Sequence, residues 1–345
     1  MKRFAPLFLL LCSLPLAAQQ LPKFGEKLDV NLVLLDAVVT DAHGNQILGL
    51  NKNDFVVKEN GVVQPIDSVD YFTNRTLLTS PESKAPFQVD RVHEARYFIF
   101  FFDKPSDNKH WDDVAAARAS AKRFIEHLHP GDEVAIVGQD VRLKVYSDFT
   151  SNQARLFRAL DEVGNFGLGI TSGKGPILSH VDHHRMMVES GTVYEALDVL
   201  GGALRSIRGR KDLILFSQGI YEPGQNTMHG MVLSESRYYR PMIDSLNAAD
   251  VSVYAVNLLR SNAPDTPIFH QTLEQIAHDT NGEYTRHPVS FDPVLENVEK
   301  AASGYYMISY YSHHEKGTKG FQKVDVSLKV PDLQVKARAG YAFGQ

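Results

Sequence analysis

The chain has 345 residues, with 36 lysines and arginines against 41 aspartates and glutamates, a formal charge of −5. That balance, without any concentrated basic stripe, argues against a nucleic-acid partner. Cys12 is the one cysteine, so a chain processed beyond it can use no disulfide, thiol nucleophile or cysteine-held zinc.

Residues 1–18 read as a secretory signal peptide. Lys2 and Arg3 give a basic start, 4–16 is apolar apart from Ser13, and Leu16-Ala17-Ala18 offers a small residue for cleavage. Leu11 before Cys12 speaks against lipid attachment. The apolar run is too short to span a bilayer, and no later stretch approaches the ~18 apolar residues of a membrane helix. The expected product is secreted or periplasmic, with no transmembrane span. Loss of Lys2 and Arg3 leaves 34 basic against 41 acidic residues, a charge of −7. Roughly 325 residues remain, room for two domains with ordinary cores.

Residues 25–75 carry a strand signal. Val30 to Leu35 and Ala37 to Thr40 are apolar and β-branched, an Asp41 to Asn45 turn cluster follows, and Asp54 to Lys58 runs into the turn Glu59-Asn60-Gly61. Such runs bounded by Gly, Asn and Asp predict antiparallel hairpins. Residues 76–92, with Pro81, Ser83 and Pro86, read as a linker.

The period changes over 93–303. Tyr97 to Phe102 is continuously apolar and ends at Asp103, the pattern of a strand buried on both faces. Residues 112–129 carry Val114, Ala117, Ala121, Phe124, Ile125 and Leu128 at helical spacing. Strands are predicted at 133–137, 141–146, 213–216, 251–256 and near Glu283-Tyr284. Helices are predicted at 152–163, 192–207, 235–249, 271–280 and 293–302. Strands alternating with helices imply an α/β domain with a mostly parallel, doubly wound sheet. Residues 304–345 return to β, with alternation at 305–311 and 323–330 and a further strand at 335–342. A free tail of two or three strands is marginal. It is therefore expected to complete a β-sandwich with the N-terminal strands, leaving the α/β domain as an insert.

From Asp103 onward the element order resembles a von Willebrand factor type A domain. Gly191-Thr192-Val193-Tyr194-Glu195 is similar to that family's threonine loop, and Gly209 to Gly219 to its following strand and loop. The flanks, 30–36, Gly49-Leu50 with Asp54-Phe55, and 336–341, resemble the von Willebrand factor type A-related proteins abundant in Acidobacteria.

The resemblance implies a cation site, the metal-ion-dependent adhesion site, above the C-terminal edge of the sheet. A D-x-S-x-S loop, a threonine and a later aspartate would supply hard oxygens for Mg²⁺, with open positions for a partner's carboxylate. Here the loop reads Asp103-Lys104-Pro105-Ser106-Asp107. Asp103 and Thr192 match the pattern. Pro105 lacks a side-chain oxygen, Asp107 replaces a hydroxyl, Ser106 is one place out of register, and Gln218 stands where Ser-Asp-Gly would put aspartate. The metal set reduces to Asp103, Asp107 and Thr192, so the site reads as degenerate, with Mg²⁺ weakly held or absent and no other cofactor implied. Two bland roles compete, because Asp103 and Thr192 both suit capping of backbone N–H groups.

The expected function is non-enzymatic binding of a protein partner through a rim of Asp103, Ser106, Asp107, Thr192 and Gln218. The rival is a metal-dependent hydrolase using the same rim or the histidines His180, His183 and His184. Those histidines lie in a Gly-rich stretch, 164–191, read as a surface insertion with no helix to preset them. Three or four ligands fixed by a surrounding shell are needed for zinc, so solvated imidazoles are the simpler reading. Neither a G-x-S-x-G elbow nor a phosphate-cradling loop occurs. Tyr305, Tyr306, Tyr310 and Tyr311 alternate as strand packing does.

Overall fold

The computed structural model describes residues 29–42, 46–73, 96–105, 110–165, 174–220, 235–259, 267–314, 318 and 320–343. The expected signal peptide and linker lie outside them. Four strands come first: β1 (Asp29–Thr40), β2 (Phe55–Glu59), β3 (Val62–Gln64) and β4 (Ile66–Thr73). The middle of the chain begins with β5 (Tyr97–Asp103), α1 (Trp111–Glu126), β6 (Glu133–Gln139), β7 (Leu143–Thr150) and α2 (Gln153–Glu162). Next come α3 (Pro176–His180), α4 (His183–Val188), α5 (Val193–Leu204) and β8 (Lys211–Ser217). A π-helical turn (Glu235–Tyr239) runs into α6 (Arg240–Ala248), before β9 (Val251–Asn257), α7 (Pro267–Asp279), β10 (Tyr284–Thr285) and α8 (Asp292–Ala302). The chain ends with β11 (Gly304–His314), β12 (Gly320–Leu328), β13 (Gln334–Ala337) and β14 (Gly340–Phe343).

The large sheet has the order β10-β9-β8-β5-β6-β7 and is parallel except for the β6–β7 pair. Its central strand, β5, explains the continuous apolar run. Phe98, Phe100 and Phe102 pack with α1, α2 and α8, while Ile99 and Phe101 pack with the layer of α3 to α7. A strand covered on both faces has no polar side, so period 2 sorts apolar residues between two cores. Phe100 meets Phe124 edge to face with centroids 5.5 Å apart, and Phe102 stacks on Phe216 at 5.1 Å.

The predicted helices form, with ends set by local chemistry. Asn152 caps α2 by accepting from the Arg155 N–H at 3.0 Å. After α1, Gly131 takes φ 98°, which only glycine adopts without strain, and the chain turns into β6.

Two smaller sheets combine strands from both ends of the chain. One has the order β13-β1-β11-β4 and the other β14-β12-β2-β3. They share one core that includes Val33, Leu35, Phe55, Tyr306, Ile308 and Tyr310. Glu59 is buried there as an acceptor for three hydroxyls: Tyr310 at 2.7 Å, Ser312 at 2.8 Å and Tyr341 at 2.9 Å. The Asn60-Gly61 turn has φ 48° and 84°, the two positive values of a tight hairpin linking β2 to β3.

Three expectations need correction. Residues 30–40 form one strand whose ladder neighbours are β11 and β13 from the tail, and the local antiparallel return is limited to the Thr40–Gln46 bridge and Ile47 N–H on the Val39 carbonyl. The 335–342 strand is two strands in different sheets, broken at Arg338, whose guanidinium turns to Asp250 and the Asn247 carbonyl. The 164–191 stretch contains α3 and α4, and Ile177, Leu178, Val181 and Met186 sit in the core. Its helices are preset after all. The buried Asp148 carboxylate accepts from Ile177 N–H at 3.1 Å and Leu178 N–H at 2.9 Å, and Asp182 caps α4 at Arg185 N–H.

Charged side chains meet at the N-terminal ends of the parallel strands. Arg96 holds Asp132 through two donors at 2.8 and 2.5 Å. Arg210 donates to Asp212 at 3.0 Å and to the Tyr254 hydroxyl at 2.8 Å. Arg338 ties the tail to Asp250 and lies 3.9 Å from Asp36 of β1. The pairs that join the small sheets to the base of the large one are Arg338–Asp250 and Lys336–Glu283.

Candidate functional site

The rim lies at the opposite, C-terminal edge. Asp103 ends β5, and Ser217 ends the neighbouring β8, so parallel pairing of Phe102 with Phe216 brings the two side by side. The Ser217 hydroxyl donates to Asp103 Oδ2 at 2.6 Å and accepts from Gly219 N–H at 3.1 Å. Asp103 is only 8% exposed. Burial pushes its pKa from 3.8 up to about 7, although the Ser217 hydroxyl and the Lys104 backbone N–H pull it the other way. Among the described residues its partners are a hydroxyl and a backbone N–H.

Thr192 opens α5 as half of a capping box. Its hydroxyl accepts from Glu195 N–H at 3.2 Å and donates to Glu195 Oε2 at 3.0 Å, while its own N–H reaches the same oxygen at 3.1 Å. The capping role weighed from the sequence is thus present at this residue. Gln139, paired with Asp103 across β5 and β6, donates to the Gly191 carbonyl at 2.9 Å and accepts from Lys104 N–H at 3.0 Å. A continuous hydrogen-bonded path runs from the threonine loop through Gln139 and Lys104 to Asp103 and Ser217.

Of the five rim residues expected, Asp103 is on this path, Thr192 is next in sequence to its Gly191 end, and Gln218 follows Ser217 directly, half-buried. Ser106 and Asp107 lie outside the described residues. Sequence reasoning did not select Ser217 or Gln139. Ser217 is the serine of the expected Ser-Asp-Gly motif and was open to selection on that ground; nothing local marks Gln139.

One carboxylate, Asp103, is bonded to the nearest hydroxyl, and the Thr192 hydroxyl is engaged with Glu195, whereas Mg²⁺ asks for near-octahedral oxygens. Among the described residues, no three His, Cys, Asp or Glu side chains gather as a metal site. His180 sits at the end of α3 with Nδ1 donating to the Pro176 carbonyl at 2.8 Å, and His183 and His184 are exposed at the start of α4.

Beside the path, α4 packs on the β6–β7 turn. The Ser190 hydroxyl accepts from Leu143 N–H at 2.9 Å, and Arg142 reaches the Met187 sulfur at 3.9 Å. Val141, Met187 and Val188 are left 48%, 40% and 67% exposed. With Arg142 reaching Met187 and Leu143 tied to Ser190, these three exposed apolar residues belong to the two segments that border the threonine loop, and are termed the apolar shelf.

No family model matches the chain, and no curated protein matches it. Among solved structures, the von Willebrand factor domain of the type V pilus tip protein Mfa5 from Porphyromonas gingivalis is similar at 12% identity and TM-score 0.41, over 60% of this chain and 94% of that one. A von Willebrand factor type A protein from Catenulispora acidiphila is similar at 10% identity and TM-score 0.40, over 88% and 74%. An ArnB paralogue from Sulfolobus acidocaldarius is similar at 11% and 0.39, over 91% and 74%. Likenesses of this size decide nothing about the chain; the mixed α/β architecture with its mostly parallel sheet rests on the strand order itself.

Proposed function

We propose that this chain is an exported, non-enzymatic module of the von Willebrand factor type A kind that binds another protein through the rim above β5 and β8. In this reading the α/β domain, about residues 93–303, is inserted into a sandwich formed by the two small sheets. The observation that carries the function is that the buried carboxylate of Asp103 and the exposed apolar residues Val141, Met187 and Val188 belong to segments at the same C-terminal edge of the sheet. Protein-binding patches combine a desolvating apolar area with a few oriented polar groups. Lys104 and Gln218 border the carboxylate, so the docking does not depend on a strongly held cation.

Ser106, Asp107 and Gln218 join Asp103 and Thr192 as proposed contacts, with any Mg²⁺ an accessory. Residues 1–28 lie outside the described structure, so export rests on the sequence of 1–18. Among the described residues no helix is long and apolar enough to cross a membrane.

The test is site-specific photo-cross-linking in the native envelope fraction with a reactive group at Val188. A discrete cross-linked partner is expected, and Asp103→Ala with Thr192→Ala should abolish it. A partner captured equally well by the double variant sinks the rim assignment, and no partner at all sinks the binding function.

A further inference from the structure

The break at Arg338 leaves one lane of a small sheet empty. Residues 320–323 of β12 pair with β14 on one side, and residues 324–328 pair with β2 on the other. A straight chain would carry β14 on beside 325–328, but the residues before Arg338 lie in the other small sheet as β13, paired with β1. Among the described residues no strand takes the lane. A groove of about 820 Å³ is lined by Val324, Asp325 and Val326 of β12 and by Val335, Lys336 and Ala337 of β13.

The ladder tells which backbone groups face that lane. In an antiparallel pair, the residues that exchange hydrogen bonds alternate along each strand. Asn60 N–H reaches the Lys323 carbonyl and Lys329 N–H the Asp54 carbonyl, both at 2.8 Å, so the odd-numbered residues of β12 are the ones bonded to β2. The N–H and C=O of Val326 and Leu328 are therefore turned the other way. Val324 fixes the side, since its N–H donates to the Ala339 carbonyl at 2.8 Å, next to the break. An edge of four residues, about 13 Å of strand, is left to pair.

Side chains sort the two faces that an added strand would meet. Val324 is buried in the sandwich core, and Val326, Val335 and Ala337 pack against it. Lys323 and Asp325 are exposed on the outer face, where Lys58 of β2 stands opposite Asp325. Of the ionisable residues lining the groove, Lys336 is paired with Glu283 at 2.7 Å and His278 with Asp279 at 3.0 Å. Lys58 and Lys323 have no ion-pair partner among the described residues, and one carboxylate, Asp325, shares their face. Alternate side chains of an extended peptide would thus meet apolar surface, and the others two uncommitted ammonium groups.

We propose that β12 accepts an extended segment of a partner protein as an added strand beside Val326 and Leu328, and that this segment alternates apolar with acidic side chains, the acidic ones against Lys58 and Lys323. In strand addition the backbone bonds supply affinity and the alternating side chains selectivity. The lane uses no residue of the rim, so either assignment can fail alone.

Fluorescence anisotropy on the full-length protein tests it, with a labelled five-residue peptide alternating glutamate and valine as probe. Saturable binding is expected, and a lysine–valine peptide should bind more weakly by about tenfold or more. Lys58→Glu combined with Lys323→Glu should invert that order. N-methylation of alternate peptide amides should weaken binding by about tenfold or more in one register and change it little in the other, because one set alone faces β12. Val326→Pro removes an N–H that β2 does not use, so it should abolish binding and keep the ladder. Equal tolerance of both methylation patterns overturns strand addition, and equal binding of the lysine peptide overturns the acidic partner. A dimer of the protein alone that the glutamate peptide dissociates gives the lane to a second copy of the chain, and overturns the foreign segment. No binding by either peptide overturns the site.

Discussion

The two ends of the large sheet treat buried carboxylates in opposite ways. At the N-terminal end, Asp132 and Asp212 are each held by a buried arginine, Arg96 and Arg210. At the C-terminal end, Asp103 has a serine hydroxyl and a backbone N–H, and its pKa rises to about 7. Ion pairing at the base neutralises buried carboxylates at the start of the large sheet's strands, whereas at the rim the described partners of Asp103 are a hydroxyl and a backbone N–H. The same residue type is a fastening in one place and, in the proposed reading, a binding group in the other.

The largest effect should come from breaking a fastening. Asp132→Ala leaves Arg96 buried without its partner and should cost about 3–5 kcal/mol in urea unfolding. Asp103→Asn, measured identically at pH 8, should cost nothing or stabilise, because it removes a charge that folding desolvates. An equal loss from both would show that Asp103 also has a cation as partner, and the contrast would fall.

A second test spreads that difference over pH. The folded pKa of Asp103, about 7, lies above its ordinary 3.8, so the folded state binds the proton more tightly. Its contribution is therefore fully present below pH 4 and lost as pH rises through 7, by roughly 4 kcal/mol in all. The wild-type curve minus the Asp103→Asn curve should fall across that window. A flat difference would mean that the carboxylate stays ionised, and recovery on adding Mg²⁺ at pH 8 would place the cation at Asp103.

Thr192 offers a smaller and more local test. Thr192→Ala removes a cap and should cost about 1 kcal/mol, with Thr192→Ser restoring it. If both variants leave the melt unchanged, the capping box contributes nothing measurable to stability, and the hydroxyl's role is confined to binding.

How much of this was legible in the sequence depended on the range of the forces involved. The run from Tyr97 to Phe102 announced a central strand because burial on both faces leaves an unbroken apolar signature, and Asp103 marked where that strand ends. Thr192 was legible because its partner, Glu195, is three residues away. By contrast, α3 and α4 were hidden in a Gly-rich stretch, since the carboxylate that starts α3, Asp148, is 29 residues upstream of Ile177. Ser217 and Asp103 are 114 residues apart and meet only through strand pairing. The break at Arg338 was equally hidden, because its cause, Asp250, belongs to another part of the fold. Residue type and spacing reported local chemistry; partners fixed by topology required the structure.

The smallest effect on stability should carry the most information about the rim. Val188 is 67% exposed on a two-turn helix whose buried anchor is Met186. Val188→Ser should therefore change unfolding free energy by no more than about 0.5 kcal/mol, as substitutions on an exposed surface do. A partner that buries the shelf would lose a desolvated contact, and binding should weaken by about 1 kcal/mol or more, the range in which interface truncations become detectable. The same change on the far side of the protein, Val63→Ser on edge strand β3, alters a residue exposed by 60% and should leave binding untouched. Equal losses from the two variants would mean that the partner reads general surface hydrophobicity, and the rim would then have no more claim to it than the small sheets.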